Sequence, residues 1–318
     1  MSSSLAASRS PRGFPLVVLA GLTWGTSGVS GSIAASRGGL GPLDIAWFRM
    51  AIAAVALSVG FLVTRRRRGR VRTALTRGTV VRLVLVAAEL ATYQLAYFAA
   101  VATAGVSIST LVALGLSPLL IAVGAALLGH GRPDRATVAA LVTALTGLVL
   151  LVGISAEGTA GTSVVLGALL AVAAAVAYAV VTLAGAGVPA GVPVTLAAFA
   201  GGALLLTPIA LVAGLRVPTD PGAVAVLLYL GLVPSALAYG LFFTGLRTVP
   251  SPVASIVTLL EPLTGTALAV ALLGERLAPG ALAGGLLVLA AVAGLYLRRM
   301  GDSNSRGVAP NPLSKRAP

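Results

Sequence analysis

The stretch SPVASIVTLLEPLTGTALAVALLG, residues 251–274, decides the fold. It carries one charge, Glu261, in a run of small and aliphatic residues interrupted by Pro252 and Pro262. A bilayer core about 30 Å thick is crossed by about 20 apolar residues of helix. The stretch is therefore long enough to span a membrane, and it holds a carboxyl group about midway. The rest of the chain has the same character. Its 318 residues are 58% hydrophobic and 9% charged, with no cysteine. A water-soluble chain is about 25% charged, so an ordinary globular enzyme is excluded and an all-α polytopic membrane protein is predicted.

Working outward from this segment, ten spans can be placed at roughly 14–34, 41–64, 80–101, 104–128, 136–154, 162–184, 193–214, 222–244, 250–273 and 278–297. The separators are short and carry Gly, Pro or charge, as in His130-Gly131-Arg132-Pro133 and Gly274-Glu275-Arg276. The division between the third and fourth spans rests on Thr103-Ala104-Gly105 alone, and that between the eighth and ninth on Arg247 and Pro250. Arg9 and Arg12 precede the first apolar run as in a signal peptide. That run is long and nine more follow, so it reads as an uncleaved helix.

The formal net charge of +14 would suggest nucleic acid in a soluble protein. Here it reports orientation. With ten spans and an internal N-terminus, eighteen basic residues fall on the inner side, including the run Arg65 to Arg68, and three fall outside: Arg37, Arg216 and Arg276. The positive-inside rule then places both termini in the cytoplasm and assigns the bilayer, not nucleic acid, as the partner surface. Arg49 is the remaining basic residue and lies within the second span.

Shifted by 144 residues, the sequence matches itself at its informative positions. Phe98 meets Phe242, Ser107 meets Ser251, and Leu116-x-Pro118-Leu119 meets Leu260-x-Pro262-Leu263. The chain thus divides into a tail 1–13, a five-helix repeat 14–154, a linker 155–161, a second five-helix repeat 162–298, and a polar tail 299–318 expected to be disordered. An odd number of spans per repeat inverts the second half in the membrane, a plan that recurs in secondary transporters.

Trp24-Gly25 in the first span, Trp47-Phe48-Arg49 in the second, a Pro-Leu in the fourth and ninth, and Leu273-Gly274-Glu275-Arg276-Leu277 resemble the EamA domains of the drug/metabolite transporter superfamily. The resemblance covers about residues 14–298. It implies a secondary transporter of the bacterial inner membrane that moves a small metabolite by alternating access, with no enzymatic activity and no cofactor. Proton-coupled export is part of what it implies; uptake or exchange is the rival direction, and a membrane enzyme or sensor the rival class. Leu260-Glu261-Pro262 is similar to the variant in amino-acid exporters. Gly129-His130 replaces the Gly-Glu usual in the first half.

Charges within the bilayer cost several kcal/mol and by default mark functional positions. Three lie well inside spans: Arg49, Glu89 and Glu261. Ser251, Ser255, Thr258 and Glu261 recur at helical spacing on one face. Pro262 removes a backbone donor and frees the carbonyl near residue 258; Pro118 is the corresponding helix-break candidate. This face could line a polar cavity, or its hydroxyls could bond their own helix while Glu261 packs as a neutral acid. Glu89, Tyr93 and Tyr97 form a second row at steps of four. Arg49 cannot lose its proton and needs an acid, a carbonyl cluster or an anionic substrate group: snorkelling to the outer face or pairing with Asp44 is the cheapest arrangement, and binding of a substrate carboxylate is the functional one. Trp24, Trp47, Tyr178 and Tyr239 are candidate cavity walls, with interfacial anchoring the commoner use for Trp47. Gly21-x-x-x-Gly25 and Gly280-x-x-x-Gly284 permit close helix approach, within the chain or in a dimer, so the oligomeric state stays open. One histidine and no cysteine exclude His-rich metal sites and Cys–His catalysis. No nucleotide-binding loop is present to supply ATP drive. A gradient, exchange or downhill flow must supply the energy, and protons could couple through either glutamate.

Overall fold

The computed structural model describes residues 13–68, 75–152, 162–273 and 279–307. The Glu275-Arg276 motif, the whole linker 155–161 and the outer parts of both tails lie outside these residues. Every described element is helical: α1 (Gly13–Trp24), α2 (Ser27–Gly38), α3 (Pro42–Arg68), α4 (Arg77–Leu127), α5 (Arg135–Val152), α6 (Thr162–Ala186), α7 (Val194–Val212), α8 (Pro221–Gly231), a π-helical turn (Leu232–Leu237), α9 (Ala238–Gly245), α10 (Ser251–Val257), α11 (Leu260–Leu273) and α12 (Pro279–Gly307).

Among the described residues, eight stretches are long and apolar enough to cross a membrane. The other two expected spans depart from this for different reasons. Arg135–Leu151 is a shorter apolar helix, and the ninth is broken between α10 and α11. The long element α4 holds two of the eight, Arg77–Gly105 and Ile108–Leu127. They are separated at Gly105, whose φ of 81° and ψ of 167° suit a residue without Cβ. The fourth span runs through Pro118 without a further break. A proline withdraws a donor, and whether the helix then opens depends on its neighbours. The last helix also exceeds expectation: α12 continues to Gly307, since adding residues to a formed helix needs no new nucleus.

The first span packs along the eighth (α1 on α9, α2 on α8), and α4 packs on α6, α3 on α7 and α5 on α12. Large aliphatic side chains such as Val212 (90% exposed) and Leu204 (74%) face outward, as they would toward lipid rather than water. The two ends of the bundle differ. Arg132, Arg298, Arg299 and Gly187 meet at one end, here called the basic end; at the other, Arg37 pairs with Asp220 at 3.0 Å. Helix starts repeat at the offset of the sequence match: Arg77 with Pro221, and Arg135 with Pro279. Repeat-related helices run in opposite directions. α4 starts at the basic end, where Arg82 donates to the Gly187 carbonyl, whereas α8 starts at the other, where Asp220 accepts from the Ala223 N–H at 2.7 Å.

Candidate functional site

Three spans are interrupted at one level of the bundle. The first breaks at Gly25-Thr26, between α1 and α2. Thr26 Oγ1 donates to the Thr23 carbonyl (2.8 Å) and accepts from the Tyr229 hydroxyl of α8 (2.8 Å). The eighth opens into a π-helical turn around Pro234 and Ser235, the kind of local insertion that often accompanies function. Pro234 has no N–H to offer the Leu230 carbonyl; the Ser235 hydroxyl donates to that carbonyl instead, at 2.7 Å.

The ninth span breaks at Thr258-Leu259. There the Leu259 N–H bonds the Ile256 carbonyl (3.1 Å) and the Glu261 N–H bonds the Thr258 carbonyl (2.9 Å), each three residues back. Pro262 cannot reach the Thr258 carbonyl, so the turn tightens and Glu261 takes that place. Ser255 and Thr258 are buried, and their hydroxyls donate to the carbonyls of Pro252 and Ser255, both at 2.9 Å.

The first and ninth spans touch at their breaks. A Cβ on Gly25 would lie 2.6 Å from the Glu261 carbonyl oxygen and 2.4 Å from Thr264 Cβ, and one on Gly21 would lie 3.3 Å from the Val257 carbonyl oxygen. The Gly21-x-x-x-Gly25 motif therefore serves an approach within the chain. Gly284 does the same against the Gly147 carbonyl oxygen of α5, at 2.5 Å.

Around these breaks the chain gathers polar groups from distant sequence. Arg49 of α3 is 4% exposed. Its Nε donates to Ser235 Oγ at 3.2 Å, and its guanidinium carbon stands 5.4 Å from the centre of the Phe98 ring. The expected pair with Asp44 is not made. Asp44 accepts from the Gly41 N–H (2.8 Å) and from the Arg216 N–H (3.1 Å), closing the start of α3 against the chain beyond α7. That use of Asp44 leaves Arg49 without a carboxylate within 4 Å among the described residues, where ion pairs such as Arg37–Asp220 and Arg298–Asp134 form instead at the ends of the bundle. Glu261 is half-buried. It and Arg49 are close enough to act on each other electrostatically without forming an ion pair.

Aromatic rings fill the space beside them. Trp24 stacks obliquely on Tyr239 (centroids 4.7 Å apart) and Phe242 (5.1 Å), and meets Tyr178 edge-on at 6.2 Å. Tyr178 contacts Tyr93 at 5.4 Å, which stacks on Tyr97 at 5.9 Å. The Tyr97 hydroxyl shares a 3.0 Å hydrogen bond with Thr110. Several buried polar atoms in and beside this group, Trp24 Nε1, Tyr178 Oη, Thr182 Oγ1 and Gln94 Nε2, make no hydrogen bond within 3.5 Å among the described residues. Buried polar atoms are ordinarily paired, so this concentration marks a place prepared for polar contacts.

Glu89 sits one turn from Tyr93 on α4, half-buried. Trp47 Nε1 donates to Thr207 Oγ1 at 3.0 Å, bridging α3 to α7 away from the aromatic group. Among the described residues no three His, Asp or Glu side chains converge to hold a metal. Sequence periodicity missed Ser235, Phe98 and Phe242. The proline-serine pair in mid-span was the available signal for Ser235, and the match of Phe98 with Phe242 across the repeat was the available signal for the two rings.

Comparison with known proteins places this geometry. The model of the EamA-like transporter family matches residues 11–153 and again 165–297. The uncharacterized transporter YwfM of Bacillus subtilis (strain 168) is 30% identical over 282 residues, covering 86% of this chain and 92% of that protein. A solved crystal structure superposes with a TM-score of 0.75 at 23% identity, covering 91% of this chain and 98% of the other, a likeness of fold. With two family matches that together span most of its length, the chain is a multi-pass membrane transporter and belongs to the EamA-like transporter family.

Proposed function

We propose that this protein exports a zwitterionic amino acid, or a similarly small amphiphilic solute, across the bacterial inner membrane in exchange for protons. The observation that carries this reading is the pairing of opposite charges at the three helix breaks. Arg49 and Glu261, on different helices and not bonded to each other, flank one aromatic wall. A substrate carboxylate suits the Arg49 fork, whose Nε is already oriented by Ser235. A substrate ammonium suits Glu261 and the faces of Trp24, Tyr239, Tyr93 and Tyr97. The apolar part of the solute lies along the same rings. The hydroxyls of Ser255 and Thr258 donate to their own helix and each oxygen keeps the capacity to accept a further hydrogen bond.

Glu261 can hold a proton or an ammonium group but not both. That mutual exclusion is sufficient for exchange, and a proton crossing 100 mV supplies about 2.3 kcal/mol to drive it. Glu89 is a second proton-carrying candidate, placed one turn from Tyr93.

In this account the chain crosses the membrane ten times as two inverted five-helix repeats, with both termini and the basic end in the cytoplasm. The opposite directions of helices 144 residues apart support inversion, and the excess of arginine at one end supports the orientation. Rocking of the halves about the breaks would expose the Arg49–Glu261 region to each side in turn. The experiment is accumulation in proteoliposomes under an imposed pH gradient. Glu261→Gln is expected to abolish gradient-driven accumulation while leaving solute exchange. Accumulation at the wild-type level in that variant refutes the proton role.

A further inference from the structure

A hydroxyl buried in a membrane helix is ordinarily satisfied by a carbonyl of its own helix, three or four residues back. Ser109 and Ser117 of α4 do this at 2.8 and 2.5 Å, and Ser255 and Thr258 at 2.9 Å. Two hydroxyls of α6 depart from the pattern. Thr182 is fully buried and Tyr178 is 3% exposed, yet neither Thr182 Oγ1 nor Tyr178 Oη makes a hydrogen bond within 3.5 Å among the described residues. For packing alone, Val and Phe would fill the same shapes without burying a polar atom.

The two residues are four apart, so they project from one face of α6. That face meets the aromatic wall of the solute site. The Tyr178 ring lies 5.4 Å from Tyr93, 6.1 Å from Phe242 and 6.2 Å from Trp24. Its hydroxyl is near those of Thr258 and Thr182 and within electrostatic range of Glu261. Trp24 Nε1, which can only donate, is also buried without a hydrogen bond.

A buried polar atom left unbonded costs free energy that a suitable partner removes. Hydroxyls both donate and accept, so the fitting partner is a neutral group that does the same, a hydroxyl or a carboxamide. A second carboxylate would face Glu261 as a like charge, and an apolar group would leave the α6 hydroxyls unbonded. Sites built to hydrogen-bond a ligand hydroxyl reject the analogue that lacks it.

We propose that Tyr178 and Thr182, beside Trp24 Nε1, form a subsite for the side chain of the transported solute that selects a neutral polar side chain over an apolar one of the same shape. This selection rests on the amino-acid reading above: Arg49 and Glu261 hold the carboxylate and ammonium, and the α6 hydroxyls read what remains.

The test is counterflow in proteoliposomes with two near-isosteric pairs, threonine against valine and asparagine against leucine. The wild type is expected to favour the polar member of each pair about tenfold, and Tyr178→Phe and Thr182→Val should each reduce that preference to about twofold while valine and leucine still move. Both variants should unfold in detergent no earlier than the wild type, since each keeps the shape and removes a buried polar atom. Thr207→Val, whose hydroxyl serves Trp47 away from the rings, should keep the wild-type preference. Equal movement within both pairs by the wild type, a preference that survives in both α6 variants, or its equal loss in Thr207→Val overturns the subsite and leaves the exporter reading standing. Movement of no amino acid by the folded wild type overturns that reading and the subsite with it.

Discussion

Gly25→Ala tests the contact on which the site geometry rests. The added Cβ would lie 2.4 Å from Thr264 Cβ, 2.6 Å from the Glu261 carbonyl oxygen and 3.0 Å from Thr264 Cγ2. Non-bonded carbon atoms settle at about 3.5–4.0 Å. The first and ninth spans must therefore part by about 1 Å at the level of Glu261, and the carbonyl oxygen cannot rotate away as a flexible side chain could. Overpacking of this kind costs about 1–3 kcal/mol, and a displacement of about 1 Å at a working site can cost about 100-fold in rate. Gly28→Ala is the control: three residues further along the same span, its Cβ would meet nothing within 4 Å, and alanine is favoured over glycine in a helix by about 1 kcal/mol. Thermal unfolding in detergent and solute flux in proteoliposomes are measured on both variants. Gly25→Ala should unfold at a lower temperature and lose most of its flux, while Gly28→Ala should match or exceed the wild type in stability. Wild-type stability and flux in Gly25→Ala, or equal damage in Gly28→Ala, would refute the packing argument.

Further outcomes follow from the same contacts. Arg49→Lys keeps a charge but loses the Nε bond to Ser235 and the planar fork; a hydrogen bond to a charged group contributes about 1.5–3 kcal/mol, so solute affinity measured by scintillation proximity should fall at least about tenfold. Pro262→Ala restores a donor for the Thr258 carbonyl; the ninth span should straighten, raising the unfolding temperature while slowing flux, and a destabilised variant would count against the role given to the proline. Asp134→Asn removes the Arg298 ion pair and weakens the cap on α5, which should cost about 1 kcal/mol at neutral pH. Because the Asp134 carboxyl is held below its ordinary value, its stabilisation is fully present above the ordinary carboxylate pKa and is lost as pH falls through the lowered one. The wild-type advantage over Asp134→Asn in thermal unfolding should therefore shrink only in acid.

Much of the fold was legible because span length and apolar composition are local properties. The break at Gly105 and the 144-residue offset were readable for the same reason. Glu261, Trp24, Tyr239, Tyr93 and Tyr97 could be singled out as polar or aromatic residues in apolar runs, and the fold brings them into one neighbourhood with Arg49. Their partners were a different matter. Ser235 reaches Arg49 across 186 positions, and Asp44 is drawn to the backbone of Arg216 across 172. Nothing in the local pattern around Arg49 distinguishes a nearby acid from a distant serine, and the nearer candidate in sequence was the wrong one. The break at Thr258 was anticipated from Pro262, yet the equally placed Pro118 leaves its helix intact. Proline chemistry states which bond is missing; the neighbouring helices decide whether the backbone opens there.

The central claim is that Arg49 and Glu261 together read a zwitterion, and substrate analogues in counterflow across proteoliposomes test it most directly. A neutral amino acid is compared with its N-acetyl derivative, which lacks the ammonium, and with its methyl ester, which lacks the carboxylate. The account predicts that the intact amino acid exchanges and that neither derivative does. Equal exchange of either derivative, or no movement of any amino acid by the folded protein, would contradict it.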